Sequence, residues 1–173
     1  MALRRYHHGN LRIALLAAGR QMLEENGPAS LSLRGLARAV GVAAPSVYNH
    51  FTSLEALSLA LAEEGFAELG AALRHAGSEP FSIGLAYLNF ALKNPGLYRL
   101  MFGEGRRDDS PEGATLRTRR QEAFASLLAF AGSRAASLHY WALVHGLASL
   151  VIDGQVPLGP EPEAQLREIL MQS

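Results

Sequence analysis

Apolar positions recur along this chain at intervals of three, four and seven residues, and no stretch alternates residue by residue with β-branched enrichment. The spacing predicts an all-α protein. Leu11, Leu15, Ala18 and Met22 form one stripe after a cap at Asn10, and Asn26-Gly27-Pro28 closes that helix near residue 25 with a left-handed residue and a breaker. Ser32 caps a short second helix whose buried face is Leu33, Leu36, Ala37 and Val40, and Gly41 stops it. A third helix, Ala44 to His50, takes Pro45 in its first turn, where the missing N–H costs nothing, with Val47 and Phe51 as its buried stripe. Thr52-Ser53-Leu54-Glu55 has the spacing of a capping box and opens a long fourth helix to about His75.

Beyond Gly77, a helix from Pro80 to about Lys93 is apolar nearly all round, the pattern of a buried helix. Asn94-Pro95 starts a shorter one ending near Phe102, and residues 103–113 read as an exposed loop. Helices over about 114–131, 134–152 and 160–172 complete the chain. The expected organisation is a three-helix head, residues 1–53, followed by a helical bundle, residues 54–173.

At 173 residues and 49% apolar, the chain can bury a sizeable core. Its net charge of zero hides an asymmetry: residues 1–53 carry six Arg against two Glu, and the remainder ten basic residues against fourteen acidic ones. A basic head suits a polyanion. Cysteine is absent, which excludes disulfides and thiolate metal sites and fits a reducing interior. Met1 to His8 lacks the apolar core of a signal peptide, and no run reads as long and apolar enough for a membrane span, so a cytoplasmic protein without a membrane partner is expected.

A short helix, a glycine-centred turn and a second short helix make a helix-turn-helix. In such a unit the second helix enters the major groove, and phosphate contacts come largely from residues around it. Here Ala44, Pro45, Ser46 and Asn49 give the reading helix a short-armed surface without cations. Charge comes from Arg34 and Arg38 on the preceding helix and from Arg4, Arg5 and Arg12 near the N-terminus, where Arg4 and Arg5 suit a minor-groove arm.

The segment LSLRGLARAVGVAAPSVYNHFTSLEAL closely resembles the DNA-binding head of TetR-family transcriptional repressors. Further along, AYLNFALKNPGLYRLMFG and WALVHGLASLVIDG resemble the C-terminal domain type of that family named for its Trp, His and Gly. The resemblance runs from Tyr6 to about Leu170. It implies that Ser32 and Arg34 grip phosphate, that Ser46, Val47 and Asn49 meet base edges or a thymine methyl, and that Tyr48 and His50 hold the DNA backbone, with Phe51 in the core. It also implies a homodimer interface on the last two helices, with Gly146 near a crossing and Leu166, Ile169 and Leu170 supplying apolar area; Ala142 and Ser149 share the small-residue strip of Gly146. Family members often carry Ser where Ala43 stands and Lys where Leu54 opens the fourth helix, so one phosphate partner is missing here.

Tyr87, Asn89, Tyr98, Trp141 and His145 put polar atoms on otherwise apolar helices, and Trp141 and His145, four apart, share a face. Either these groups satisfy one another in a closed core, or, with Phe90 and Phe102, they line a cavity for an apolar or aromatic small molecule. The chain carries no cofactor signature: no metal-spaced His/Asp/Glu set, no phosphate-binding glycine loop after a strand, no Gly-x-Ser-x-Gly elbow. The expected function is therefore a ligand-responsive repressor, not an enzyme, that binds a palindromic double-stranded operator as a homodimer. The alternatives are a helical adaptor that dimerises without DNA and a helical hydrolase using His145.

Overall fold

The computed structural model describes residues 8–103, 113–129, 133–157, 159 and 162–171, and among these every regular element is helical. The helices are α1 (His8–Asn26), α2 (Leu33–Val40), α3 (Ala44–Tyr48), α4 (Leu54–His75), α5 (Pro80–Lys93), α6 (Pro95–Phe102), α7 (Ala114–Ala129), α8 (Arg134–Ile152) and α9 (Pro162–Met171). The expected loop over 103–113 lies almost wholly outside the described residues.

Local chemistry sets most of the boundaries. Gly27 (φ 74°) ends α1, and a single 3₁₀ turn over Pro28–Ser30, not expected from periodicity, follows it. The Ser30 hydroxyl donates to the carbonyl of Met22 or Gly27, at 3.0 and 2.7 Å, which ties this turn to the end of α1. Ser32 Oγ accepts the Gly35 N–H at 3.1 Å as the cap of α2, and Gly41 (φ 73°) leaves α2 in the left-handed conformation. Three boundaries differ from expectation. α1 begins at His8, which puts Asn10 inside the helix rather than at its cap. The cap of α4 is Ser53, whose Oγ accepts the Ala56 N–H at 3.0 Å, so the capping serine is one residue beyond Thr52. α3 is five residues long and stops at Tyr48, because Asn49 and His50 turn back onto the Pro45 and Val47 carbonyls.

The chain divides into two compact units. The first comprises residues 1–64 together with 96–116, and the second residues 65–95 together with 117–173. The division falls inside α4, and α6 from Gly96 on joins the first unit, although α5 and α7 from Arg117 on belong to the second. Leu15, Leu23, Leu36, Val47, Leu57 and Leu61 form the core of the first unit, where Gly19 on α1 lets the Leu61 side chain approach. In the second unit α5 packs on both α8 and α9. Gly84 leaves no room for a side chain against the Tyr140 hydroxyl and Leu170, Tyr140 donates to the Pro80 carbonyl, and the Arg167 guanidinium lies 4.1 Å from the centre of the Phe81 ring. Burial pushes the Tyr140 pKa up to about 12, so this phenol stays a donor.

By length and apolar composition α8 could cross a membrane, which corrects the expectation that no segment could. Its two faces explain the composition. Ser137, Tyr140, Val144, Leu147 and Ala148 are buried within the chain, while Leu138, Ala142 and Leu150 face outward.

Candidate DNA-reading surface and effector site

α2 and α3 pack on each other, and α1 braces α2. On α3, Pro45 and Tyr48 are exposed and Ala44 and Ser46 half-buried, and directly after it Asn49 is exposed and His50 half-buried; Tyr48 stands 47% exposed. Arg34 and Arg38 are exposed on α2. Arg12, also exposed, sits with its guanidinium 4.8 Å from the Phe51 ring centre, which ties one cation to the buried end of the motif. Leu54 is exposed at the first position of α4. Two expected members need comment. Val47 is 0% exposed, so its methyls fill the head's core and are not available to a base edge. Ser32 Oγ is occupied as an acceptor, which leaves its hydroxyl hydrogen to give to a phosphate. Arg4 and Arg5 lie outside the described residues.

Within the same unit, Glu24 near the end of α1 caps the start of α6. Its Oε2 accepts the Gly96 N–H at 2.8 Å and its Oε1 the Leu97 N–H at 3.1 Å, and Arg20 approaches Oε1 at 3.7 Å. A carboxylate on the amide end of a helix satisfies orphan donors and meets the positive end of the dipole. The packing is close: a Cβ on Gly96 would collide with the Leu23 carbonyl.

The second unit holds an aromatic cluster. Trp141 stacks at a tilt on Phe124 with ring centres 4.7 Å apart, Phe124 meets Phe66 edge-on at 6.2 Å, and His145 lies 5.8 Å from Trp141. Tyr87, fully buried, pairs its hydroxyl with His145 Nδ1 at 3.0 Å. Burial lowers the pKa of His145, which favours the neutral ring. The alternative between a closed core and a cavity therefore divides by residue: Tyr87 and His145 satisfy each other, whereas the buried Trp141 Nε1 has no hydrogen-bond partner among the described residues. Of the other expected members, Asn89 is half-buried and Phe90 buried on α5, while Tyr98 and Phe102 pack together at 4.8 Å on α6, in the first unit.

The outward face of α8 presents Leu138 (56% exposed), Ala142, Gly146 and Leu150 (45% exposed) at four-residue spacing, and a Cβ on Gly146 would meet nothing within 4 Å. Ser149, beside them, is half-buried. Leu166 and Leu170 differ from expectation. They are 2% and 7% exposed in the single chain, and Leu170 is packed at Gly84 of α5, so their apolar area is already used; Ile169 is half-buried.

Residues 15–61 match the model of the bacterial regulatory proteins of the tetR family, and residues 81–173, more than half of the chain, match the tetracyclin repressor-like C-terminal domain. The chain belongs to the TetR family. It is similar to an uncharacterized HTH-type transcriptional regulator, YobS of Bacillus subtilis (strain 168), with 31% identity over 90 residues, which are 49% of this chain and 47% of YobS. The chain thus matches about half the length of that relative. A solved structure of a protein with unknown function from Rhodococcus sp. RHA1 superposes with a TM-score of 0.79 at 30% identity, covering 98% of this chain and 94% of the other. The multidrug binding protein EbrR, solved in complex with imidazole, shares the fold at 21% identity with a TM-score of 0.66, covering 99% of this chain and 96% of EbrR.

Three residues of this TetR-family chain escaped the sequence reading. Glu24 caps a helix 72 residues away, and its one local signal is an acidic side chain near the negative end of α1, where it opposes the dipole. Phe66 reads as one more core residue of α4. Phe124 is the sole aromatic residue in the arginine-rich stretch RTRRQEAFASL, which marks it as packed but not against what.

Proposed function

We propose that this protein is a homodimeric, ligand-responsive repressor of the cytoplasm that reads a palindromic DNA operator with α3 and is released by a small molecule bound in the second unit. One observation carries the DNA reading. The five-residue α3 with exposed Pro45 and Tyr48, followed by exposed Asn49, is braced by a capped α2 that exposes Arg34 and Arg38, so that uncharged Asn49 suits a base edge while Tyr48, Arg34 and Arg38 suit phosphates. One short helix spans only a few base pairs, so useful specificity requires two heads on half-sites about one helical turn apart, set by a two-fold dimer. The exposed apolar strip of α8 around Gly146 is the surface best suited to that dimer.

The effector site is assigned to the Phe66, Tyr87, Phe124, Trp141 and His145 cluster, in keeping with the small planar ligand of its structural relative EbrR. Coupling requires the ligand to prefer one of two arrangements of the chain. α4 supplies Phe66 to the cluster and begins immediately after the head, which makes it the candidate element for that preference to act on. Selection of bound sequences from random duplex DNA tests the proposal. Enrichment of an inverted repeat is expected, and recovery of unenriched sequence would defeat it.

A further inference from the structure

Trp141 carries a donor for which the described residues offer no acceptor. Its Nε1 is buried, and among the described residues it has no hydrogen-bond partner. A donor kept from water and left unpaired is costly, and in a native fold such a group needs an acceptor, which a water or a bound ligand can supply. The neighbouring polar pair does not need it, because Tyr87 and His145 already meet at 3.0 Å. The flanking surface is the Phe124 ring, 4.7 Å away between centres, with Phe66 behind it at 6.2 Å.

The chemistry of these five side chains selects among ligands. Four are uncharged at any neutral pH, and burial favours the neutral form of His145. An ammonium ion would find no carboxylate among these five side chains and has no lone pair for the indole N–H. An organic anion would satisfy the N–H but would meet no countercharge among the five. A plain hydrocarbon would suit the rings and leave the donor unpaired. A neutral planar molecule with an acceptor atom at its edge meets both requirements.

We propose that the Trp141 N–H is the anchor of the effector site and that its ligand is an uncharged aromatic compound presenting a hydrogen-bond acceptor, such as a ring nitrogen or a carbonyl oxygen. The inference rests on the aromatic cluster being the effector site. It goes further by naming the atom that selects the ligand and the class it selects.

The chain has a single tryptophan, so ¹⁵N labelling gives one indole N–H cross-peak to follow. The full-length protein is titrated at neutral pH with quinoline, with naphthalene as the isostere lacking an acceptor, and with N-methylquinolinium as the cation. Quinoline is expected to move the cross-peak downfield to saturation, with the other two binding about tenfold more weakly, as one lost hydrogen bond implies. By calorimetry, Trp141→Phe keeps a ring and removes the donor, and should weaken quinoline about tenfold while leaving naphthalene unchanged. Equal binding of naphthalene, preference for the cation, or a cross-peak that ignores all three while showing a strong exchange contact to water would overturn the proposal. Should Trp141→Phe not fold, the wild-type titration decides alone. The same samples are assayed on the selected duplex. Quinoline binding at Trp141 with unchanged DNA affinity keeps the anchor and removes the effector role, whereas absent quinoline binding with intact DNA affinity removes the anchor and keeps the regulator.

Discussion

Glu24 on α1 holds Gly96 at the start of α6, its carboxylate accepting the Gly96 N–H at 2.8 Å across 72 residues of sequence. The second oxygen takes the Leu97 N–H, so one side chain satisfies the first two N–H groups of α6, whose first residue, Pro95, has none. Glu24→Ala is expected to cost about 1–2 kcal/mol in urea unfolding, and Glu24→Gln less, since the amide retains one acceptor oxygen. Gly96→Ala tests the same contact from the other side. Its methyl meets a backbone carbonyl rather than a movable side chain, so a loss of about 1–3 kcal/mol is expected. Wild-type stability in both Glu24→Ala and Gly96→Ala would mean that α6 does not depend on this seat.

In the head, Val47 and Asn49 are two residues apart and should behave oppositely. Val47→Ala opens a void in a fully buried site and should lower stability by about 1–3 kcal/mol, with the loss of DNA binding following from unfolding. Asn49→Ala, at an exposed position, should leave stability within about 0.5 kcal/mol and relax preference at one base pair by about 1–3 kcal/mol. Tyr48→Phe should weaken all duplexes equally. Sequence selection alongside thermal melting separates the three.

The neutral imidazole of His145 makes stability depend on pH. Because its pKa is lowered in the folded chain, the unfolded chain binds the proton more readily. Its contribution is therefore fully present above the ordinary histidine value of about 6.5 and declines as pH falls from there toward the depressed folded value. His145→Asn keeps an amide to meet Tyr87 and removes the titration, so the difference in melting temperature between variant and wild type should shrink as the pH is lowered. A difference constant with pH would show that His145 does not change charge on unfolding.

Gly146 offers an unusually clean test of assembly. A side chain there meets nothing in its own chain, so Gly146→Leu should fold normally as a monomer and disturb only a partner placed against α8. Sedimentation should report weakened dimers, and Leu138→Asp should do the same from the far end of the strip. A wild-type dimer in both variants would move the interface away from α8.

Helix type and most boundaries were legible because they rest on local chemistry. Gly27 and Gly41 were readable as left-handed ends, Ser32 as a cap and Pro80 and Pro95 as first-turn residues, since each effect spans a few residues of sequence. Tertiary choices were not. Val47 on α3 lies two residues before Asn49, which follows that helix, and only the packing of α2 on α3 decides which of them faces inward. Leu166 and Leu170 had an apolar stripe that fits an interface as well as it fits α5. Trp141 and His145 were found by their spacing. Phe124, which turns the pair into a cluster, comes from a helix whose polar surroundings hide it, and that the Trp141 N–H finds no acceptor among the described residues is a property of three dimensions alone.

If exposed groups around α3 bind a specific DNA duplex through phosphates and bases together, affinity must depend on salt and on sequence at once. Affinity is measured for the selected inverted repeat and for a scrambled duplex as salt is raised from about 50 to 200 mM. Affinity for both should fall by on the order of a hundredfold or more, with the inverted repeat tighter throughout. Leu54→Lys, restoring a cation at an exposed position, should steepen the logarithmic slope by about one. Affinity that is independent of salt, or equal for the repeat and its scramble, would contradict this mode of binding.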